Sequence, residues 1–453
     1  MGWLDSIEHN RWLSAQLQAL IAEAKVSMTP SGFSEGPEGE EPDARTQFTL
    51  SARMLHAFSL GTLLGLPGSR RYADHATRSL RRVIREQLER LPDPTAVDEE
   101  ENTNSEAYKA EVQNGEIDYQ LDNAILISAS AAAAVANRPG AHELLLDALH
   151  EQERRWLAPN ALVYGAIASG STQHKAPIIT LGTLASTTEA YLAAAEATAD
   201  PVWIDRAEAI TLAVARMGRE ASWRPGEYID IERSSPVKQG EQGWAKQWEH
   251  WSSTPLLEGV QIGTLLRWAR LSVQVRAALR SLGRKPDDLL IEAAAEFFER
   301  ARVDGWRQLG YAGFVTSVGF EGHEKRILDD RHYLWVVCEG VCAAVSLARA
   351  LRDDGASEGE VEHYEHCYRS WLDFINDELI VRPGQWLHVL SHDNQVIDES
   401  TPRSGDIAWA IQCVLVGRVP MWPPFASAVS RGLLDHPEEA PADRRSWVFF
   451  RRK

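Results

Sequence analysis

The chain has 453 residues, 44% hydrophobic and 25% charged, a balance that excludes fibrous and disordered classes and supports a sizeable core. Lys and Arg total 47 against 65 Asp and Glu, giving a net charge of −18 with no basic tract long enough to follow a phosphate backbone, so nucleic acid is excluded as an expected partner. The opening MGWLDSIEHNRW lacks the apolar core of a signal peptide, and no stretch approaches the roughly 18 uncharged apolar residues of a membrane span. A soluble, cytoplasmic protein without a membrane partner is expected. Cys338, Cys342, Cys367 and Cys413 are too sparse for a disulfide framework and lack zinc spacing, so they read as buried thiols; neither metal nor cofactor is expected.

In chain order, apolar residues recur at helical spacing over 10–26, 50–65, 73–91, 121–136, 141–156, 183–198, 202–217, 263–282, 288–303, 333–351, 359–378 and 406–416. Asp200-Pro201 marks a helix start, and Gly65 and Gly218 mark helix ends. Two segments break the pattern, the Gly/Pro/Glu-rich 28–48 and the acidic 93–118, and both read as surface loops. Period-two alternation is confined to short pieces such as GFVTSVGF (313–320) and QWLHVLSH (385–392), which read as hairpin arms between helices. About twelve helices joined by alternating short and long connections predict an all-α fold of stacked helix pairs; twelve favours closure into a ring of six. No linker of domain-separating composition interrupts the chain, so a single domain over 1–453 is expected.

Tryptophan occurs 16 times, and GEQGWAKQWEHWSST (240–254) sets Trp244, Trp248 and Trp251 among Lys246, Glu249 and His250 in what reads as a long loop. Aromatic faces mixed with polar groups suit a sugar ring, which stacks through C–H and hydrogen-bonds through its hydroxyls. A packed aromatic lid with no ligand fits the same residues. Trp12, Trp156 and Trp203 fall within helical stripes and read as core.

The segments SARMLHAFSLGTLLG (51–65), TTEAYLAAAEATADPVWIDRAEAI (187–210), TLLRWARLSVQVRAAL (264–279), VDGWRQLGYAGFVTSVGFEG (303–322), HYLWVVCEGVCAA (332–344) and GDIAWAIQCVL (405–415) follow in the order and spacing of one family. The chain resembles the N-acylglucosamine 2-epimerase family, which includes mannose isomerases, sulfoquinovose isomerases and cellobiose 2-epimerases. The resemblance implies an (α/α)6 barrel with a sugar pocket at one end. It also implies proton transfer beside a carbonyl: a base takes the C2 proton, and the enediol-type intermediate is reprotonated at C1 to give a ketose or at C2 to give an epimer. Such chemistry wants groups that titrate near neutrality, for which histidine is suited.

The positions where the family carries histidines read differently here. Ser186 stands in GTLASTTEA, Thr264 in GTLLRWARL and Trp409 in DIAWAIQ, and Arg267 stands where the family has a glutamate. Hydroxyls and an indole do not shuttle protons at neutral pH. The resemblance further implies substrate-binding positions at Arg53, Asp230, Arg331, Trp335 and Asp406, joined by Trp251 of the aromatic segment, with Glu339 and His388 as the candidate catalytic groups. Glu339 facing Arg331 or Arg53 also fits a purely structural ion pair, Glu189 reads as structural, and His174, His250, His332 and His392 are further imidazoles that would supply a proton relay. A guanidinium at 267 would favour an anionic substrate group, unless it pairs with Glu258 or Asp230.

Three readings stay open at this stage. The first is a sugar isomerase or 2-epimerase with a rebuilt acid/base set, and the second a non-catalytic relative that binds a sugar or acidic metabolite. The third is hydrolase or lyase chemistry, which needs Asp230, Glu339 and Asp406 within about 10 Å of one another. A monomer or homodimer acting on a small sugar or sugar acid is expected.

Overall fold

The computed structural model describes residues 6–35, 42–90, 117–169, 174–237, 244–252, 255–307, 310–320 and 326–435. The acidic loop expected at 93–118 lies almost wholly outside them. Fourteen α-helices are present among the described residues. These are α1 (Ile7–Ala24), α2 (Ala44–Leu63), α3 (Ser69–Arg90), α4 (Gln120–Val135), α5 (Ala141–Glu151), α6 (Leu181–Thr198) and α7 (Val202–Glu220). They are followed by α8 (Trp244–Trp251), α9 (Ile262–Ser281), α10 (Leu289–Gly305), α11 (Leu334–Asp353), α12 (Glu358–Phe374), α13 (Ile407–Val416) and α14 (Phe425–Ser430).

Local chemistry sets several ends. Asp43 caps α2 by accepting from the Arg45 and Thr46 N–H groups, which starts this helix earlier than its apolar pattern at 50 suggests. Thr180 caps α6 through the Thr183 N–H, and Ser357 with Glu360 forms a capping box on α12. Trp244 and Trp248 lie one helical turn apart and both pack on Tyr228, so the segment expected as a long loop folds instead into the short helix α8.

Six helices pack side by side in the closed order α2, α4, α6, α9, α11, α13 and back to α2. Each is backed by an outer helix, in the pairs α2·α3, α4·α5, α6·α7, α9·α10, α11·α12 and α13·α1. The chain is thus an (α/α)6 barrel whose ring closes by pairing its first helix with α13. Successive inner helices are joined through outer ones, so all six inner helices run the same way and their N-terminal ends share one mouth. The inner wall is built from small residues, as in ISASAAAAV of α4, and large side chains such as Trp268, Trp371, Tyr191 and Phe298 are buried. Helix α11 is long and apolar enough to cross a membrane, but it is an inner stave of this barrel.

Short strands dress the mouth. The alternating pieces seen in sequence are strands and do serve as hairpin arms: Gly313–Phe314 pairs with Trp306–Arg307 and Gln385–Trp386 with Ile380–Arg382, each within its own connection, and other pieces also reach across to a second connection. Ser317–Val318 pairs with Val260–Gln261 and Ile327–Asp329, while Val389–Leu390 pairs with His332–Tyr333. Tyr228–Asp230 pairs antiparallel with Ile178–Thr180, the strand that runs directly into α6. These pairings place loop residues over the N-terminal ends of the inner helices.

Candidate active site

A cavity of about 570 Å³ runs down the barrel axis. Its mouth and middle are lined by Arg53 and His56 of α2, Thr183, Ser186 and Glu189 of α6, Thr264, Arg267 and Arg270 of α9, Trp335 of α11, and Trp409 of α13. Glu227, His388 and Asp406 join them from the connections. Of the residues expected from sequence, Arg53, Ser186, Thr264, Arg267, Trp335, His388, Asp406 and Trp409 therefore share one cavity.

Four expected residues do not line it. Arg331 is held by Asp329 at 2.8 Å, and Asp230 accepts the Arg233 N–H at 2.9 Å. Trp251 packs on its neighbour His250 at the end of α8. Glu339 is fully buried behind the wall, because Arg270 on the adjacent helix grips both its oxygens at 2.9 and 3.0 Å. The three carboxylates required for hydrolysis do not converge on the cavity, since only Asp406 reaches it.

Arg267 and Arg270, one helical turn apart, project from the inward face of α9. Both bond the carboxylate of Glu189, and Arg267 also donates to the Ser186 hydroxyl at 3.0 Å. Gln412 adds a donor to Glu339 at 3.2 Å. Arg267 is paired neither with Glu258 nor with Asp230, but with Glu189. Burial alone would raise the Glu189 carboxyl, yet the two guanidiniums overcome it and hold it at about 2. The belt Glu189–Arg267–Arg270–Glu339 thus sets two guanidiniums against two carboxylates, so its formal charges match. That removes the excess positive charge that an arginine at 267 suggested.

Aromatic surface enters at the mouth. Trp335 and Trp409 have ring centroids 6.0 Å apart, and the Arg267 guanidinium carbon lies 5.2 Å from the Trp409 ring centre. A Cβ on Gly263 would meet the Trp335 ring at 2.2 Å, so only glycine leaves this indole its place.

Two groups suited to proton transfer remain. His388 Nδ1 lies 2.7 Å from the Asp406 carboxylate, which accepts only, so Nδ1 carries the proton and Nε2 is the basic nitrogen. Arg53 donates to the Gly405 carbonyl at 2.9 Å and so fixes the turn that carries Asp406. Glu227 was not singled out in the sequence. It sits at the foot of the 228–230 strand, where its backbone carbonyl accepts the Leu181 N–H and its Oε1 accepts the Gly182 N–H, both at 2.8 Å. Burial raises its carboxyl to about 7, against the lowering pull of the Gly182 N–H, the Thr264 hydroxyl and the Arg267 charge. His56, likewise missed, lines the cavity one turn below Arg53, and burial lowers its pKa, so it is a neutral imidazole.

Glu227 is tied to the start of α6 and His388, through Asp406, to the start of α13, which are opposite staves in the ring order. The two groups therefore approach the mouth from opposite sides of the ring, in a cavity that Arg53 and Arg267 also line. Of the other histidines considered, His332 is buried with Nδ1 against Asn394 Oδ1 at 2.7 Å, and neither it nor His174, His250 or His392 lines the cavity.

The model of the N-acylglucosamine 2-epimerase family matches residues 36–413. The chain belongs to this family. It is 27% identical over 444 residues to a D-mannose isomerase of Pseudomonas cannabina pv. alisalensis, covering 94% of this chain and 97% of that protein. It is 28% identical over 443 residues to a D-mannose isomerase of Thermobifida fusca, covering 94% and 98%. Its fold matches a D-mannose isomerase crystal structure at a TM-score of 0.68 with 18% identity, over 91% of this chain and 98% of that one. Family membership supports sugar isomerase or epimerase activity and agrees with a cavity that combines indole faces, guanidiniums and two groups able to exchange protons.

Proposed function

We propose that the chain interconverts a monosaccharide aldose with its ketose or its C2 epimer by proton transfer through an enediol-type intermediate, with His388 and Glu227 as the acid/base pair. The observation that carries this reading is the tautomer-fixed imidazole of His388 in one cavity with a carboxyl that titrates near neutrality. The positions where the resemblance places family histidines hold Ser186, Thr264 and Trp409, and Thr264 is the neighbour that the Glu227 carboxyl senses. A carboxyl reaching the cavity beside that threonine supplies what an imidazole there would have supplied.

The steps follow from the geometry. Trp335 and Trp409 offer indole faces to the sugar, and Arg53 with Arg267 stabilises the developing charge on O1 and O2. His388 Nε2 removes the C2 proton. Its return to C1 from the same side gives the ketose, whereas delivery to C2 from the Glu227 side gives the epimer. Glu339 takes no direct part, since it is shut behind Arg270, and serves to hold the guanidinium belt. Cytoplasmic location, a single domain and a monomer or dimer are part of the same proposal.

Incubation in D₂O with D-mannose, D-glucose and D-fructose tests it: deuterium should enter C1 or C2 of at least one, and wild-type protein that exchanges none across a broad aldose and ketose panel overturns it. The non-catalytic alternative draws on one observation, that Arg267 and Arg270 are already satisfied by Glu189 and Glu339. Under it, sugars raise the melting temperature without any exchange.

A further inference from the structure

The cavity is far longer than one sugar ring needs. Its lining on α4 runs from Leu121 to Val135, about 21 Å at a rise of ~1.5 Å per residue. Its character changes with depth. Along α6 the wall passes from Thr183, Ser186 and Glu189 to Leu192 and Ala193. Beyond the guanidinium–carboxylate belt the lining is chiefly apolar and includes the segment Pro420–Ser427, whose helix α14 packs on α2 and α4. Ser128, Gln274 and Gln412 border this deeper part, but Gln274 is engaged by Arg270 and Gln412 by Glu339.

An apolar space of this kind is poorly served by water, which needs two or more polar partners to settle, and leaving it empty forfeits dispersion contacts. Small side chains on α4 keep it open where one larger residue would fill it. It is continuous with the polar mouth, so whatever occupies it is joined to the molecule held there. We propose that the barrel accepts a monosaccharide bearing an apolar substituent several carbons long, with the sugar at the mouth and the substituent in a lobe bounded by Ala132, Val135, Leu192, Ala193, Trp422 and Phe425. The inference rests on the reading of the mouth as a sugar site and adds a second subsite to it.

Calorimetric titration with methyl, butyl, hexyl and octyl β-D-glucosides, each below its micellar concentration, tests the lobe without turnover, because these glycosides cannot open. Affinity is expected to climb with chain length, at least tenfold from methyl to octyl, since each buried methylene adds severalfold. Ala193→Phe and, independently, Ala132→Leu place carbon in the lobe and should flatten that climb, with cooperative melting as the check on folding. A flat wild-type series in which methyl glucoside still binds overturns the lobe and leaves the sugar reading standing. No binding by any glucoside or by D-mannose overturns both. A climb that survives in both filled variants shows that the alkyl chain binds elsewhere and also overturns the inference.

Discussion

Glu227 Oε1 accepts the backbone N–H of Gly182 at 2.8 Å, which pins a carboxyl with a raised pKa to the first turn of an inner helix. Its value of about 7 lies above the ordinary 4.5, so the folded state binds a proton that the unfolded state has released. The resulting stabilisation is complete below pH 4.5 and is lost as pH rises through about 7, amounting to about 3 kcal/mol in all. In Glu227→Gln this loss should vanish, so that the difference in melting temperature between variant and wild type drifts in the variant's favour from pH 5 to about 7 and then levels off. A constant difference counts against a raised Glu227.

The same substitution bears on turnover. With the His388–Asp406 pair left intact, Glu227→Gln should lower deuterium exchange at C2 by ~10²-fold or more. The pH profile should lose the limb near 7. Exchange at wild-type rate removes Glu227 from the chemistry.

Asp406→Asn replaces an obligate acceptor with an amide that can offer its NH₂ to Nδ1, which moves the histidine proton to Nε2. The imidazole stays in place but is blunted as a base. Exchange should fall by ~10²-fold or more, while the affinity for a non-reacting sugar alcohol changes by less than about threefold. A large fall in affinity with unaltered rate constants assigns Asp406 to binding instead.

Glu189→Gln leaves two buried guanidiniums sharing an uncharged partner. Removing one member of such a network costs about 3–5 kcal/mol, which a urea midpoint reports directly. Because the Glu189 carboxyl is held at about 2, its contribution is present above pH 4.5 and is lost only as pH falls through about 2. The variant should therefore match the wild type in acid and diverge from it at neutral pH.

Gly263→Ala drives a methyl into the Trp335 ring at 2.2 Å. Overpacking of this kind costs about 1–3 kcal/mol, and displacement of the indole should weaken sugar binding as well. Calorimetric affinity together with thermal melting separates the two effects.

The helical wheel was legible throughout, since twelve apolar stripes correspond to the twelve barrel helices. The short strands were visible as alternation, but the pairings that cross between connections, Ser317–Val318 with Val260–Gln261 and Val389–Leu390 with His332–Tyr333, were not, because alternation carries no register information. At the site, Ser186 and Arg267 were marked by the family resemblance rather than by spacing, and both line the cavity from inner helices. Glu227 was passed over in favour of Asp230, three residues later, because only the pairing of Tyr228 with Thr180 reveals which carboxyl meets α6. A clue to the belt was present in Ser186/Glu189 and Arg267/Arg270, polar pairs three apart and so on one face of their helices. Glu339 carried the opposite signal, a lone acid in an apolar stripe, and its partner Arg270 was the residue needed to read it as internal.

The docking of α1 against α13 reaches beyond statics. Residues Leu13, Leu17, Leu20 and Ile21 are buried, and His9 bonds the Tyr368 hydroxyl at 2.9 Å across 359 positions of chain. Only part of this face, around Ile21, meets the next helix α2 near Gly61. Within this barrel α1 is made long before α13, so the ring cannot be completed, nor this apolar face fully covered, until α13 has been synthesised.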